Sequence, residues 1–275
     1  FRVVKNGDSL SLGKHTLKFV PLPMLHWPDS MATYLEEEQI LFSNDAFGQH
    51  YSTNFKFDDE NDLSELLYEA KKYYANILMP FNKLVVKALD NLGLLPIRMI
   101  APSHGLIWRA HIADILSLYK KWSAGETDPL VLVVYDSMWG STEMMARRIL
   151  EGLTAGGIKA KLFRMADSDK SELIAELLTA RGLICGSSTL NNGMLPTMAA
   201  VLYYVKGLKP INKSGAAFGA YGWAGGAQAD MELALKAAGI EVAMTGPTLK
   251  WAPNQDEIQR CFEFGREFAE KMLNR

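Results

Sequence analysis

The run LVLVVYDSMWGST, residues 130–142, decides the fold of the second half of the chain. Its first six residues are continuously apolar and rich in valine, which predicts a strand covered on both faces, as in a parallel sheet. Its last six residues place three hydroxyl side chains and a glycine just before a predicted helix. A buried strand, a turn and a helix in this order are the first unit of an alternating α/β pattern.

Strand and helix patterns alternate from this run to the carboxyl end of the chain. We predict strands at residues 130–135, 158–163, 181–186, 214–220 and 241–245. We predict helices near residues 142–155, 170–180, 195–207, 227–238 and 255–273. This alternation predicts a doubly wound α/β domain with a parallel sheet. If the strand order is 2-1-3-4-5, the switch point lies beside the first strand, and ligands bind there at the carboxyl ends of the strands.

The loop after the first of these strands is a candidate anion site. Hydroxyl groups and the backbone N–H groups of a helix N-terminus suit a phosphate group. The loop contains no Lys or Arg, and no Walker motif occurs. The alternative interpretation is a plain N-cap by Ser141 or Thr142. The candidate residues are Ser137, Met138, Trp139, Gly140, Ser141 and Thr142.

The loops after the third and fourth strands carry amide and aromatic side chains. Asn191 and Asn192 suit the polar edge of a bound ring, and Tyr221 and Trp223 offer flat faces to it. The alternatives are tight turns at the glycines and interdomain packing of Trp223. The candidate residues are Thr189, Leu190, Asn191, Asn192, Gly193, Tyr221, Gly222, Trp223, Ala224, Gly225 and Gly226. Together the three loops predict a phosphate site beside a flat-ring site.

The first 122 residues mix strands and helices without regular alternation, which indicates an α+β domain. We predict strands at residues 16–20, 31–35, 39–43 and 97–101, a helix at 109–122, and a helical region at 62–93 that Pro80 interrupts. The small, polar segment at residues 123–129 is typical of a linker. We therefore predict one domain over residues 1–126 and a second over residues 127–275.

Three polar residues of the first half follow apolar strands. They are His26, Asp45 and His104, and their imidazole and carboxylate groups suit iron, zinc or manganese. Taken alone, each also fits a hydrogen-bonded loop residue, and the spacing contains no local ligand motif. The remaining histidines lack this context, and we expect them to be structural or exposed. They are His15, His50 and His111.

Composition narrows the function classes. The 29 basic residues nearly balance the 31 acidic ones, and 48% of residues are hydrophobic, which excludes a disordered chain and argues against a nucleic-acid binder held by bulk charge. Two cysteines without a CxxC pair predict a reducing, cytoplasmic compartment. No apolar stretch reaches the ~20 residues of a membrane span. The sequence begins without Met, and its first predicted strands have no obvious start. We therefore expect a fragment of a longer protein.

The strings YDSMWGSTEMMA, STLNNGMLP and FGAYGWAGGA resemble the FMN loops of the flavodiiron proteins, also called A-type flavoproteins. The patterns PxxHWPD, SNDAFG and PSHGxxW resemble the later part of the metallo-β-lactamase-like domain of the same family. The resemblance implies a flavodoxin-like domain that binds FMN, with the phosphate on residues 137–142 and the ring near residues 189–193 and 221–226. It also implies a di-iron site to which His26 and His104 each contribute one ligand, with Asp45 as the bridge.

One feature departs from the family pattern. The family places its first metal ligands in an H-x-E-x-D-H motif, and this sequence contains no such motif. His26, Asp45 and His104 therefore supply only part of the di-iron set, which strengthens the expectation of a fragment that holds the C-terminal portion of the metal domain.

The resemblance implies an oxidoreductase that passes electrons from FMN to a non-haem di-iron site, where nitric oxide is reduced to nitrous oxide or dioxygen to water. It implies an electron donor such as rubredoxin or a reduced flavoprotein, and a head-to-tail homodimer with no nucleic-acid or membrane partner. The alternative is an FMN electron carrier with an incomplete or inactive metal domain. A zinc hydrolase at His26, Asp45 and His104 is a third hypothesis, supported only by analogy of fold.

Overall fold

The computed structural model of the chain describes residues 2–275. It divides the chain into two units, Phe1–Ala124 and Gly125–Arg275. The predicted boundary after residue 126 stays a prediction and lies close to this division. The segment predicted as a linker is shorter than expected, because a helix runs to Ala124 and a strand already begins at Asp128.

The first unit contains a five-stranded sheet in the order of the sequence. Its strands are β1 Ser9–Ser11, β2 Thr16–Pro21, β3 Met31–Leu35, β4 Ile40–Asn44 and β5 Met99–Pro102. The first four are antiparallel neighbours, and β5 pairs with β4 in parallel. Parallel pairing brings the carboxyl ends of β4 and β5 side by side, so the loops that follow them lie at one edge of the sheet.

Three α-helices complete the first unit: α1 Leu63–Tyr73, α2 Asn82–Leu92 and α3 Ile112–Ala124. The interruption predicted at Pro80 is present, as a π-helical turn at Tyr74–Leu78 followed by a 3-10 turn at Met79–Phe81. Proline lacks a backbone N–H and clashes with the preceding turn, so the regular helix cannot continue through it. Strand β1 was not predicted, because three residues are too few to show a hydrophobic alternation.

The second unit contains a parallel sheet. Its strands are β6 Asp128–Asp136, β7 Lys159–Arg164, β8 Ala180–Ser188, β9 Ser214–Tyr221, β10 Glu241–Val242 and β11 Thr248–Lys250. The order is β10-β9-β8-β6-β7, and β11 also pairs with β9. Counted within this unit the order is 2-1-3-4-5, so the predicted doubly wound class is confirmed. The switch of winding direction lies between β6 and β8.

Five helices cover the faces of this sheet: α4 Ser141–Ala155, α5 Lys170–Thr179, α6 Pro196–Leu208, α7 Ala227–Ala237 and α8 Gln255–Leu273. Helices α4 and α8 approach closely at glycines, since a Cβ on Gly152 would lie 2.0 Å from the Phe262 carbonyl oxygen. Within residues 2–275, no helix is both long enough and apolar enough to cross a membrane.

The fifth predicted strand, at residues 241–245, is wrong in extent. Only Glu241–Val242 of it is a strand, β10, and after an irregular segment at residues 243–247 the chain pairs with β9 again as β11. A Cβ on Gly246 would lie 2.4 Å from the Ala217 carbonyl oxygen, and the Gln228 side chain donates to both Ala217 O (3.0 Å) and Gly246 O (2.6 Å). The break displaces β11 toward the carboxyl end of β9, where the predicted ring-binding loop begins.

The second unit begins with Gly125, and the loop at residues 211–212 leaves no space for a side chain at this position. Gly125 has φ +70°, and a Cβ there would lie 2.5 Å from the Ile211 side chain. The Asn212 side-chain amide donates to the Gly125 carbonyl oxygen at 3.0 Å. The backbone at residue 125 is therefore fixed by the loop at residues 211–212 of the same unit.

Candidate functional site

A cavity of about 590 Å³ lies at the carboxyl ends of β6, β8, β9 and β11. Its volume falls within the range of about 300–1,000 Å³ that is usual for small-molecule and cofactor sites. None of the side chains that line it carries a charge. The lining residues are Met138, Trp139, Ser141, Ser188, Thr189, Asn191, Asn192, Ala220, Tyr221, Gly222, Trp223, Ala224, Trp251 and Ala252.

The structure therefore brings all three predicted loops to one cavity. Four lining residues were not predicted: Ser188, Ala220, Trp251 and Ala252. The first two belong to β8 and β9, which run further than predicted, and the last two follow β11. Seven predicted residues do not line the cavity: Ser137, Gly140, Thr142, Leu190, Gly193, Gly225 and Gly226. Three of them, Ser137, Thr142 and Gly226, instead fix the conformation of the loops.

The first loop delivers the N-terminus of α4 to the cavity. Gly140 stands at the N-cap position with φ +87° and provides no capping side chain, so the alternative of an N-cap by Ser141 or Thr142 does not describe this helix. A helix end without a side-chain cap keeps N–H groups available to an anion. Ser137 Oγ accepts from Gly140 N–H at 3.1 Å and fixes the turn.

Two hydroxyl groups connect this loop to the next one. Thr142 is fully buried, and its Oγ1 lies 3.0 Å from Ser188 Oγ. The same Ser188 oxygen accepts from Met138 N–H at 3.3 Å. At the base of the loop the buried carboxylate of Asp136 accepts from Ser137 N–H at 2.8 Å and from the Thr197 hydroxyl. The candidate phosphate site is thus held by neutral donors on a rigid base.

The only charged group in the first turn of α4 is already paired. Glu143 accepts two hydrogen bonds from the Arg147 guanidinium, at 3.0 and 2.7 Å. Hydrogen bonding from Arg147 lowers the pKa of Glu143 below its ordinary value. The ion pair offsets the negative charge of this carboxylate next to an anion site.

The two ring-binding loops contact each other through the backbone. Asn191 and Asn192 adopt left-handed conformations with φ of +50° and +62°. Gly226 has φ +148°, and a Cβ there would lie 1.9 Å from the Asn192 carbonyl oxygen. Only glycine fits this position, so the close approach of the two loops depends on it. Asp230 on α7 accepts from Met194 N–H at 3.4 Å, which ties the first of these loops to the helix.

In the first unit, the three predicted metal ligands converge. The Asp45 carboxylate is buried, and its two oxygens face different histidines. Oδ1 lies 3.3 Å from His104 Nε2, and Oδ2 lies 3.6 Å from His26 Nε2. Burying a carboxylate without a cation or hydrogen bonds is costly, so this arrangement calls for positive charge on both sides of Asp45.

The two distances are close to those expected between ligands that share a cation. Two ligand atoms that each lie about 2.1 Å from one cation, at an angle of about 90–109°, are about 3.0–3.4 Å apart. The His104–Asp45 distance lies in this range and the His26–Asp45 distance slightly above it, whereas 3.6 Å is too long for a hydrogen bond. Each carboxylate oxygen thus has one histidine nitrogen near it, which is the arrangement that a bridging carboxylate needs.

The three residues form a partial ligand set. Among residues 2–275, no group of three or more His, Cys, Asp or Glu side chains is arranged to hold one metal ion. The ion-pair distances show why: His26 and His104 each face Asp45 from a different side, so each candidate cation has two of these ligands and not three. Both cations need further ligands, as the missing H-x-E-x-D-H motif implied.

The loop after Asp45 is held by an extensive hydrogen-bond network. Phe47 has φ +67°, its N–H donates to Tyr119 Oη at 2.8 Å, and its carbonyl accepts from Trp108 Nε1 at 2.9 Å. Gln49 is fully buried; its Oε1 accepts from Leu106 N–H at 2.7 Å and its Nε2 donates to the carbonyls of Phe47 and Leu106, each at 3.2 Å. Gln49 thereby joins the loop of Asp45 to the loop of His104.

Sequence reasoning missed two aromatic neighbours of this site. The His50 ring is exposed, as expected, but it packs edge-on against Tyr73 at 4.9 Å and lies 5.6 Å from the His104 ring. Tyr73 is buried on α1, and its burial, followed by the charge of Asp45, raises the pKa of its phenol. Its O–H group therefore stays protonated. Only tertiary packing brings these residues to the site, and no sequence pattern marks them.

Comparisons with known proteins find relatives of both units of the chain. The flavodoxin family profile matches residues 133–265, and the ODP family beta lactamase profile matches residues 1–105. The chain is 50% identical to a nitric oxide reductase of Moorella thermoacetica, over 100% of the chain and 69% of that protein. It is 45% identical to an anaerobic nitric oxide reductase flavorubredoxin of Escherichia coli, over 98% of the chain and 57% of that protein.

Two solved structures are similar over 99% of the chain, each with a TM-score of 0.96. One is the flavodiiron protein of Giardia intestinalis, at 36% identity, of which the chain covers 68%. The other is the rubredoxin oxygen:oxidoreductase of Desulfovibrio gigas, at 35% identity, of which the chain covers 69%. The chain thus spans 57% to 69% of these proteins, and both of its units have counterparts in them. With the β-lactamase-like and flavodoxin-like units in this order, the chain belongs to the flavodiiron protein family.

Proposed function

We propose that the chain is the FMN-binding and partial di-iron portion of an oxidoreductase that reduces nitric oxide to nitrous oxide, dioxygen to water, or both. The observation that carries the proposal is the Asp45 carboxylate, whose two oxygens face two different histidines. A carboxylate that bridges two cations offsets their mutual repulsion and leaves open positions for a small ligand. The names of the relatives, nitric oxide reductase and oxygen oxidoreductase, support this reaction class.

FMN is the cofactor proposed for the second unit. The loops at the cavity of this unit offer one place for the phosphate of FMN and one for its ring. The phosphate is bound by the N-terminus of α4, where Ser141 lines the cavity and the hydroxyls of Ser137 and Thr142 hold the loop in place behind it. The ring lies among residues 189–193 and 221–226, where Asn191 and Asn192 face the cavity. When bound, FMN supplies stored electrons and the iron pair supplies a binding place for the gas.

The chain's own residues prepare the metal site. His26, Asp45 and His104 are the proposed ligands, and Gln49 holds two of their loops together. Tyr73 packs beside His104, with 6.0 Å between the centres of the two rings. The left-handed backbone at Met24, Asn44 and Phe47, next to the ligands, indicates strain of about 1–3 kcal/mol per residue of the kind that collects at functional sites.

The partners proposed for the chain follow from its exposed surface and its relatives. Trp139 and Trp223 are 89% and 88% exposed at the rim of the cavity, and we propose that a second copy of the chain, arranged head to tail, covers them. We propose rubredoxin or a reduced flavoprotein as the electron donor, in line with the relatives' names. Both cysteines are free and buried, which supports a reducing cytoplasm as the compartment.

The test is an anaerobic reconstitution with FMN and ferrous iron. We expect one FMN per chain, bound iron, and consumption of nitric oxide or dioxygen when a reductant is supplied. The matched control is Asp45→Asn, which keeps the shape of the side chain but removes the charge between the two histidines. Gas consumption that is equal in both proteins would contradict the proposal.

Bound FMN with two reduction steps but no iron and no gas consumption would favour the electron carrier instead. Zinc-dependent hydrolysis without flavin binding would favour the hydrolase. Because the chain spans only part of the length of its relatives, a full-length relative, such as the nitric oxide reductase of Moorella thermoacetica, serves as the positive control in the same assay.

A further inference from the structure

We propose that Trp251 is an additional aromatic wall of the flavin cavity, and that its indole binds oxidised FMN more tightly than reduced FMN. The inference rests on the proposed function, because it takes FMN as the occupant of the cavity. Trp251 follows β11, outside the three loops that the sequence marked, and it lines the cavity together with Trp139, Tyr221 and Trp223. Its side chain is 59% exposed, so a ligand has indole surface to cover.

The backbone of Trp251 is fixed to the ring-binding loop. Its N–H donates to the Tyr221 carbonyl oxygen at 2.8 Å, directly after the pairing of Lys250 with Tyr221. The residue has φ +62°, a conformation that is rare for a bulky side chain. Strain of this kind is kept where the surrounding structure requires it and is concentrated at ligand sites. Here it turns the indole toward the cavity at the end of the strand.

Gly222 provides the second observation. A Cβ on this residue would lie 2.9 Å from Cζ3 and 3.1 Å from Cη2 of the Trp251 ring, and no other atom would lie closer. Gly222 is not among the glycines with positive φ, so its backbone conformation is open to other residues. A Cβ at residue 222 would therefore press on the Trp251 ring in its present position. The indole rests against the loop on one side and borders the cavity with the rest of its surface.

The chemistry of the cavity predicts a preference between redox states. The oxidised flavin ring is neutral and electron-poor, and it stacks favourably on an electron-rich indole. The reduced ring gains electron density and carries a negative charge near neutral pH. The protein groups around the ring tune the stability of that charge. No charged side chain lines the cavity, and a desolvated anion beside aromatic carbon is disfavoured. Removing the indole should therefore weaken the oxidised complex more than the reduced one.

The expected change in FMN affinity follows from the strength of aromatic stacking on flat heterocycles. Loss of one such contact weakens binding by about ten-fold, within the range measured for bases on aromatic side chains. We expect Trp251→Ala to raise the Kd of oxidised FMN about ten-fold and that of reduced FMN by less. Each ten-fold difference between the two losses raises the two-electron midpoint potential by about 30 mV.

The experiment titrates the FMN-free chain with FMN, follows quenching of flavin fluorescence, and measures the midpoint potential of each holoprotein by spectroelectrochemistry. Trp251→Ala is compared with Tyr203→Ala, which removes an 80% exposed aromatic side chain from α6, outside the cavity. We expect weaker FMN binding and a raised potential for the first variant only. A Kd within two-fold of the unchanged chain, with the same potential, would overturn the inference.

Gly222→Ala provides a test that keeps the indole. The added methyl group displaces the ring without removing it, so we expect weaker FMN binding, and a Gly222→Ala/Trp251→Ala double variant should bind FMN as the single Trp251→Ala variant does. If Trp251→Ala fails to fold, the Gly222→Ala variant becomes the test. An FMN affinity and a midpoint potential that are unchanged in Gly222→Ala would then overturn the inference. A failure of the unchanged chain to bind FMN would refute the proposed function instead, so the two failures are distinct.

Discussion

Replacing Gln49 with leucine removes the side chain that joins the two loops carrying Asp45 and His104. Gln49 is fully buried and makes three side-chain hydrogen bonds, one as acceptor from Leu106 N–H and two as donor to backbone carbonyls. Leucine has a similar size but neither donates nor accepts. The change therefore tests how strongly this amide holds the candidate metal site.

The expected loss of stability follows from the backbone groups that the substitution leaves without a hydrogen-bond partner. The Phe47 carbonyl still accepts from Trp108 Nε1 at 2.9 Å, so it remains satisfied. The N–H and the carbonyl of Leu106 both lose the Gln49 side chain. Each buried group left unpaired costs about 1–3 kcal/mol. We therefore expect the free energy of unfolding to fall by about 2–6 kcal/mol, which is a large part of the stability of an ordinary domain.

Urea unfolding followed by tryptophan fluorescence measures this loss, since Trp108 and Trp122 are buried in the same unit. With a urea dependence of about 2 kcal/mol per M, a loss of 4 kcal/mol lowers the midpoint by about 2 M. The control is Gln259→Leu on the exposed face of α8, for which we expect a change within about 0.5 kcal/mol. A Gln49→Leu variant that loses less than about 1 kcal/mol would refute the reasoning, because buried unpaired groups cannot be that inexpensive.

Three further predictions concern the metal ligands, the phosphate loop and the cysteines. Asp45→Asn should lower the apparent affinity for ferrous iron at least ten-fold in equilibrium dialysis, whereas Asp114→Asn, whose partner is His111, should not. Thr142→Val should weaken FMN binding about ten-fold by removing the buried hydroxyl beside Ser188, with the exposed Thr154→Val as its unaffected control. Burial raises the pKa of Cys185 to about 12 and that of Cys261 to about 11, so the unfolded chain releases these protons first and the free energy of unfolding should fall as pH rises from about 8.5 to 10. A Cys185→Ala/Cys261→Ala variant with the same pH dependence of its urea midpoint would contradict the last prediction.

The sequence was most informative where hydrophobic periodicity and loop chemistry agree. The run at residues 130–142 predicts a buried strand, a turn and a helix, and the structure has β6 and α4 there. Each ligand candidate of the first unit was found by its position after a strand, and the parallel pairing of β4 and β5 explains why Asp45 and His104 come together. The family and the fold class are confirmed, and the predicted cofactors and enzyme class agree with the names of the relatives.

The features that were missed depend on geometry that periodicity does not encode. Trp251 reaches the cavity because the fifth strand breaks at Gly246 and resumes beside Tyr221, and nothing in the local pattern fixes that break. Ser188 was missed because β8 extends two residues beyond its predicted end at 186. Tyr73 belongs to a helix that is distant in sequence from the ligand loops, so only the folded packing reveals its role.

The fixed backbone at Gly125 sets a practical limit on producing the flavin-binding half alone by recombinant expression. A truncation that starts at residue 127 would remove the carbonyl oxygen to which the Asn212 amide donates, and would uncover the Ile211 side chain that now packs where a Cβ at 125 would lie. Ile211 is already 40% exposed, and a loop that loses a hydrogen bond and exposes more of this isoleucine is prone to aggregation. Expression of this half should therefore begin upstream of Gly125, with the glycine retained rather than replaced by a vector-derived residue that disfavours φ +70°.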